Sequence, residues 1–160
     1  MSKFITKLGD VTLTGWGIVM MRMVLGFSFL AHTLILMLCI LTLPGVYGFL
    51  ESIGIPGFMT YVIFVTELSV GICLVLGIQV RWACIAVLPI LCGAIWVRAP
   101  NGWAYDAPGG GWEYAAFWSG MLIALACIGD GPFSLAPSMR APDLDRSAAS
   151  WSKKRLTAAK

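Results

Sequence analysis

Two ionisable side chains, Glu67 and His32, lie inside apolar stretches of the sequence. Glu67 interrupts the run from Met59 to Val80, which at about 22 residues is long enough to cross a hydrocarbon core of roughly 30 Å as a helix. An ionisable group near the bilayer centre costs at least about 2.5 kcal/mol, so it needs a partner, a water-filled cavity or a proton. A neutral imidazole and a protonated carboxyl group can both hydrogen-bond a quinone carbonyl, and either can supply a proton during reduction.

Helix geometry predicts that His32 and Glu67 lie close together. His32 is about 15 Å above Arg22 along one helix, and Glu67 is about 21 Å above Arg81 along the next. If the two arginines lie at the same depth in the membrane, His32 and Glu67 differ in depth by about 6 Å. Arg22 lies too far toward the cytoplasmic side to reach Glu67, unless its helix begins several residues earlier. Gly71 shares the Glu67 face and favours close helix approach. The candidate set His32, Glu67 and Arg22 therefore either binds a quinone (ubiquinone or menaquinone) or latches the first two helices together.

A second polar set, Arg98, Asn101 and Glu113, flanks a glycine-rich segment between two apolar runs. Glu113 opens a predicted helix, whose positive N-terminal end favours a carboxylate. This position predicts a helix cap and an interfacial ion pair with Arg98. Asn101 and Asp106 could add ligands there, but their spacing matches no metal motif, so no metal site is expected. No catalytic residue can be assigned from these patterns.

The composition is that of a membrane protein. Hydrophobic residues make up 59% of the 160 residues and charged residues 12%, with a mean hydropathy of +0.85. A soluble domain carries about twice that share of charge. The net charge of +3 comes largely from the C-terminal segment, and we attribute it to membrane orientation rather than to nucleic-acid binding. The five cysteines lie in apolar runs without a Cys-x-x-Cys pair, which predicts neither a disulfide framework nor a zinc site.

The apolar runs predict an all-α integral membrane four-helix bundle. The four helices are expected at about 17–43, 59–80, 82–97 and 112–129, within one domain of residues 1–137. Pro89 is expected to kink the third helix, and the loop before the second is expected to hold one helical turn. A basic cytoplasmic tail, 138–160, follows.

Lysine and arginine positions predict the orientation. With four spans, Lys3, Lys7 and Arg81 face the same side as the basic residues after the fourth helix. The opposite side carries only Arg98. Both termini are therefore expected in the cytoplasm.

Short motifs in a fixed order give the chain a resemblance to the DoxX family of small four-helix membrane proteins, over roughly residues 21–137. The motifs are Arg22-Met-Val-Leu-Gly-Phe-Ser-Phe-Leu-Ala-His32, Phe49-Leu-Glu-Ser-Ile-Gly-Ile-Pro56, Glu67, Leu74-Val-Leu-Gly-Ile-Gln-Val-Arg81, Pro100-Asn-Gly102, Gly110-Gly-Trp-Glu-Tyr114 and Gly129-Asp-Gly-Pro-Phe-Ser-Leu135. Family members often have His-Gly-x-x-Lys in the first helix, whereas this chain has Thr33 and Leu36 at the glycine and lysine positions. The closing Ser-Leu-Asp pattern ends here in Ala136.

The resemblance implies a role in respiratory-membrane redox chemistry, because some DoxX-like proteins are described as membrane subunits of quinone-reducing oxidoreductases. One hypothesis is thus a quinone-contacting subunit of a larger complex in a bacterial-type cytoplasmic (inner) membrane. A second is a non-catalytic accessory subunit that stabilises such a complex. A small transporter is less favoured because no internal repeat is visible. Whether the chain is itself an enzyme stays open.

Overall fold

The computed structural model describes residues 13–138, and this part of the chain is helical. The helices are α1 (Leu13–Ala31) with a π-helical continuation (His32–Ile40), α2 (Leu43–Ser52), α3 (Met59–Leu76), α4 (Val80–Arg98) with a 3-10 turn (Ala99–Asn101), and α5 (Glu113–Ile128). Within 13–138 β structure is limited to one isolated bridge between Ile78 and Ala136. The all-α prediction is confirmed. Lys3, Lys7 and the predicted tail beyond Ser138 lie outside the described residues.

Three helical segments are long and apolar enough to cross a bilayer, namely Leu13–Ile40, Met59–Leu76 and Val80–Asn101. Helix α5 is also apolar but has only 16 residues. Helix α4 continues through Pro89 and is longer than predicted, with 19 residues. Many large apolar side chains on these helices are exposed, as expected of surfaces that face lipid.

The four longer helices pack in a closed ring. Helix α1 contacts α3 and α5, and α4 contacts the same two helices from the other side. The ring surrounds a single apolar core made of Leu25, Phe29, Val70, Leu74, Val80, Cys84, Val87, Leu91, Trp118, Leu122 and Leu125.

Helices α1 and α3 approach most closely at a glycine pair. A Cβ atom on Gly26 would lie 2.8 Å from Val75 Cγ2 and 3.1 Å from the Gly71 carbonyl oxygen. A Cβ atom on Gly71 would lie 2.9 Å from the side chain of Leu30. A side chain at either position would therefore displace its neighbours, and the close approach that glycine allows brings the faces that carry His32 and Glu67 together.

Helix α2 corrects the prediction of a single turn before α3. It has ten residues, and Thr42 caps it by accepting a hydrogen bond from Gly45 N at 3.3 Å. Pro44 occupies the first turn, where its missing N–H is harmless. This cap and the proline outweigh the low helix propensity of the glycines in the segment.

The first membrane helix changes from α to π geometry at His32. Leu41 N, for example, donates to the carbonyl oxygen of Leu36, five residues earlier, at 2.8 Å. Thr33 and Met37 point from this segment into the protein. Stretches of π-helix are rare and occur often at functional sites.

Candidate functional site

His32 and Glu67 form a hydrogen-bonded pair between α3 and the start of the π-helical segment. His32 Nδ1 lies 3.0 Å from Glu67 Oε2, and Thr33 Oγ1 donates to the same oxygen at 3.4 Å. The side chain of Glu67 is only 6% exposed, whereas that of His32 is 36% exposed. Among residues 13–138 the pair makes the only contact within 4.0 Å between a basic and an acidic side chain. The structure thus brings together the two residues that helix geometry placed at similar depth.

The chemistry of this pair follows from the two ring nitrogens of His32. When Nδ1 donates to the Glu67 carboxylate, Nε2 remains for a second partner. Nε2 is an acceptor in the neutral ring and a donor in the protonated ring. Because His32 is the more exposed member, a molecule outside the bundle can reach the imidazole while the carboxylate stays buried. The arrangement can therefore exchange a proton between the surface and a buried acid.

Aromatic rings of α1 and α5 pack against one another inside the bundle. Phe29 and Trp118 meet edge to face with ring centroids 4.6 Å apart, and Tyr114 packs on Trp118 at 4.9 Å. The Tyr114 phenol lies within electrostatic reach of the Glu67 carboxylate. Sequence reasoning did not relate Tyr114 to Glu67, because α5 is far from α3 in the chain and only the ring-like packing of the helices brings them within this range.

Arg22 belongs to a different cluster and lies midway along α1, ten residues before His32. It is 1% exposed. Its Nη1 atom donates to the Asp130 carbonyl oxygen at 2.7 Å and to Ser134 Oγ at 2.8 Å. Its Nη2 atom donates to the carbonyl oxygen of Phe133 at 3.4 Å. Arg22, predicted as part of one candidate set with His32 and Glu67, instead joins α1 to the segment after α5.

Asp130 organises this second cluster, and sequence reasoning assigned it no role. Its Oδ1 accepts hydrogen bonds from Val80 N and Ser138 Oγ, both at 2.8 Å, and its Oδ2 accepts from Ser138 N at 2.8 Å. The carboxylate thereby caps the first turn of α4, where the helix dipole favours negative charge. The sequence feature that could have indicated this role is an aspartate between Gly129 and Gly131, directly after an apolar helix.

The set Arg98, Asn101 and Glu113 is arranged differently from the prediction. Arg98 Nη1 donates to the Gly109 carbonyl oxygen at 3.2 Å, and Asn101 Nδ2 donates to the same oxygen at 3.0 Å. Glu113 is the first residue of α5, and its Oε2 accepts from Tyr105 N at 3.2 Å. The predicted Arg98–Glu113 ion pair is absent from residues 13–138, because the loop carbonyl takes the guanidinium. Within the same residues no group of three or more His, Cys, Asp or Glu side chains could hold a metal ion.

A family model for DoxX matches residues 17–99, which is more than half of the chain. The chain belongs to the DoxX family. Comparisons with curated proteins and with solved structures gave no significant match. The DoxX match covers His32, Glu67 and the glycine pair that positions them, and it ends before Asp130. DoxX membership together with the long apolar helices identifies a multi-pass membrane protein.

Proposed function

We propose that this DoxX protein is a subunit of a redox complex in a bacterial-type inner membrane, and that its His32–Glu67 pair transfers protons to a membrane quinone. The observation that carries the proposal is a buried carboxylate bonded to a partly exposed imidazole inside a membrane helix. An intramembrane ionisable residue is by default a candidate functional residue, and this one has a titratable partner.

The proposed chemistry divides the work between this chain and a partner enzyme. Reduction of a quinone to a quinol takes two electrons and two protons. The partner supplies the electrons, because the DoxX chain carries no recognisable redox-group motif. Protonated His32 donates a proton from Nε2 to an oxygen of ubiquinone or menaquinone in each of two steps, while the Glu67 carboxylate stabilises the imidazolium by accepting from Nδ1. Water at the exposed side of His32 returns a proton to Nε2 after each step.

The proposal includes a topology in which α5 is the fourth crossing and both termini are cytoplasmic. At 16 residues α5 spans about 24 Å, so it crosses nearly upright. Residues 1–137 form the membrane domain and 138–160 a basic cytoplasmic tail. The excess of lysine and arginine on the side of the termini supports this orientation. The larger complex then meets the DoxX subunit through its apolar helix surfaces.

The test is quinone reduction by the assembled complex. Glu67→Gln and His32→Ala should each lower the rate about 10²-fold or more, the usual range for loss of a general acid, while membrane insertion is unchanged. Glu51→Gln, which removes an exposed carboxylate from α2, is the matched control and should keep the full rate. Full activity in the double variant His32→Ala/Glu67→Gln would disprove the proposal.

A second candidate function is that of a non-catalytic accessory subunit. The observation that favours it is that Glu67 receives hydrogen bonds from both His32 and Thr33, which is also how a latch between α1 and α3 would be built. This alternative predicts co-purification with a larger enzyme and no quinone in the DoxX subunit. Native purification in mild detergent, with mass spectrometry of polypeptides and extracted lipids, separates the two functions.

A further inference from the structure

An open cleft of about 440 Å³ lies at the end of the bundle where α4 ends and α5 begins. Its volume is within the range of small-molecule sites. The lining residues are Trp103, Tyr105, Glu113, Tyr114, Ala116 and Phe117. Four of these six are aromatic and one is a carboxylate. The cleft therefore combines four aromatic side chains with one carboxylate.

Two of the four rings, those of Trp103 and Tyr105, belong to a well-bonded loop, and the other two belong to α5. Glu113 N donates to the Trp103 carbonyl oxygen at 3.0 Å, and Gly111 N donates to that of Ala104 at 3.0 Å. Trp103 also meets the ring of Trp112 edge to face, with ring centroids 4.4 Å apart. These contacts fix the loop against α5, so the ring of Trp103 is positioned before any ligand arrives.

No basic side chain among residues 13–138 pairs with the carboxylate of Glu113. The cation nearest in sequence, Arg98, donates to the Gly109 carbonyl instead of pairing with Glu113. Within residues 13–138 Glu113 accepts one hydrogen bond, from Tyr105 N to Oε2, and forms no ion pair. The loop residue Asp106 adds a further negative charge at this end of the bundle. A cation entering the cleft would thus meet uncompensated negative charge.

We infer that this aromatic cleft binds an organic ammonium group, with the aromatic faces contacting the cation and Glu113 supplying the counter-charge. Aromatic rings that surround a cation attract it through their quadrupoles, and quaternary ammonium groups are the ligands that such cages bind. The group is either the head group of a lipid or a free organic cation. This inference does not depend on the proposed redox function.

The first experiment measures choline binding to the full chain in nanodiscs made only of phosphatidylglycerol, by saturation-transfer NMR on the N-methyl protons. Choline should bind saturably, and its neutral isostere 3,3-dimethylbutan-1-ol should bind at least about tenfold more weakly. Glu113→Gln and Trp103→Leu should each weaken choline binding about threefold to tenfold. Glu51→Gln and Trp96→Leu change an exposed carboxylate and an exposed tryptophan outside the cleft, and should leave the affinity unchanged.

A second experiment distinguishes the two sources of the ammonium group. If a lipid head group occupies the cleft, nanodiscs of phosphatidylcholine should suppress the binding of free choline. If the ligand is a solute, choline affinity should be the same in both lipids. Equal binding of choline and its neutral isostere, or no loss in Glu113→Gln, or no saturable binding in phosphatidylglycerol, would overturn the inference.

Discussion

The two buried carboxylates, Glu67 and Asp130, are held in different ways. Glu67 receives its hydrogen bonds from side chains, those of His32 and Thr33. Asp130 receives two of its three from backbone N–H groups, at Val80 and Ser138. A side-chain partner can rotate away or give up a proton while the helices stay in place. A backbone donor cannot leave unless the chain itself moves, so Asp130 is suited to hold the fold and Glu67 to exchange protons.

The side chain of Arg22, like that of Asp130, forms most of its hydrogen bonds with the backbone. Two of the three hydrogen bonds from its guanidinium go to backbone carbonyl oxygens. Gly77, with φ of +69°, leaves space for this guanidinium. The bridge from Ile78 to Ala136 closes the same region. The comparison thus separates a rigid cluster beside the N-terminal half of α1 from an exchangeable pair that follows its C-terminal end.

The largest expected effect is on stability, in Asp130→Ala. Loss of three hydrogen bonds to a carboxylate, with the helix cap, should lower the free energy of unfolding by about 3 kcal/mol or more. Denaturation with sodium dodecyl sulfate in mild detergent would measure it. Asp106→Ala removes an exposed aspartate and should change stability by less than about 0.5 kcal/mol. Equal stability of the two variants would contradict the structural role of Asp130.

A smaller loss is expected from Gly77→Ala. The new Cβ atom would lie 2.7 Å from both Arg22 Nη1 and Ser134 Cα, in a backbone conformation that L side chains rarely adopt. The strain should cost about 1–3 kcal/mol in the same unfolding assay. The matched control is Gly93→Ala within α4, where nothing lies within 4 Å and alanine is the better helix former. Gly93→Ala should leave the free energy of unfolding unchanged or raise it slightly. If both variants lose the same amount of stability, contact with the Arg22 cluster does not explain the effect of Gly77→Ala.

The smallest effect on stability is expected from Glu67→Gln, whose amide oxygen can still accept from Thr33. The free energy of unfolding should fall by less than about 1 kcal/mol. Asp130→Asn is the sharper comparison, because its NH2 group would replace one acceptor oxygen and face donors of Val80 or Ser138. Thermal unfolding of the two isosteric variants should rank Asp130→Asn as clearly less stable. The reverse order would assign the structural role to Glu67.

The His32–Glu67 pair could be predicted from the sequence because it depends only on the depth of each residue along its helix and on which helices are neighbours. Helix rise fixes depth along each apolar run, and helices adjacent in the chain tend to pack as antiparallel neighbours. The glycine at Gly71 indicated a close contact on the correct face of α3. The π-helical geometry that begins at His32 could not be anticipated, because the residues after Thr33 are uniformly apolar and carry no signal for it.

The Asp130 cluster could not be predicted in the same way. Asp130 and Val80 are 50 residues apart, and Arg22 is 108 residues from its first partner. The segment after α5 has no regular secondary structure, so its sequence has no hydrophobic periodicity from which the direction of its side chains could be predicted. The Arg98–Glu113 prediction failed for a related reason. Sequence proximity brought the charges near each other, but a glycine carbonyl offered Arg98 a nearer acceptor.

The bonds of Arg22 also set an order of events during synthesis. Arg22 enters the membrane with the first helix, but its acceptors lie in the segment around Asp130 and Ser134, more than 100 residues later. At roughly 5–20 residues per second, ribosomes need about 5 to 20 s to make that interval. Until then the guanidinium has to be satisfied by water or lipid head groups. A segment made more than 100 residues after Arg22 therefore completes the hydrogen bonds of the first helix. A nascent chain truncated before Asp130 would leave α1 with a buried guanidinium that lacks its acceptors, which membrane quality control can recognise.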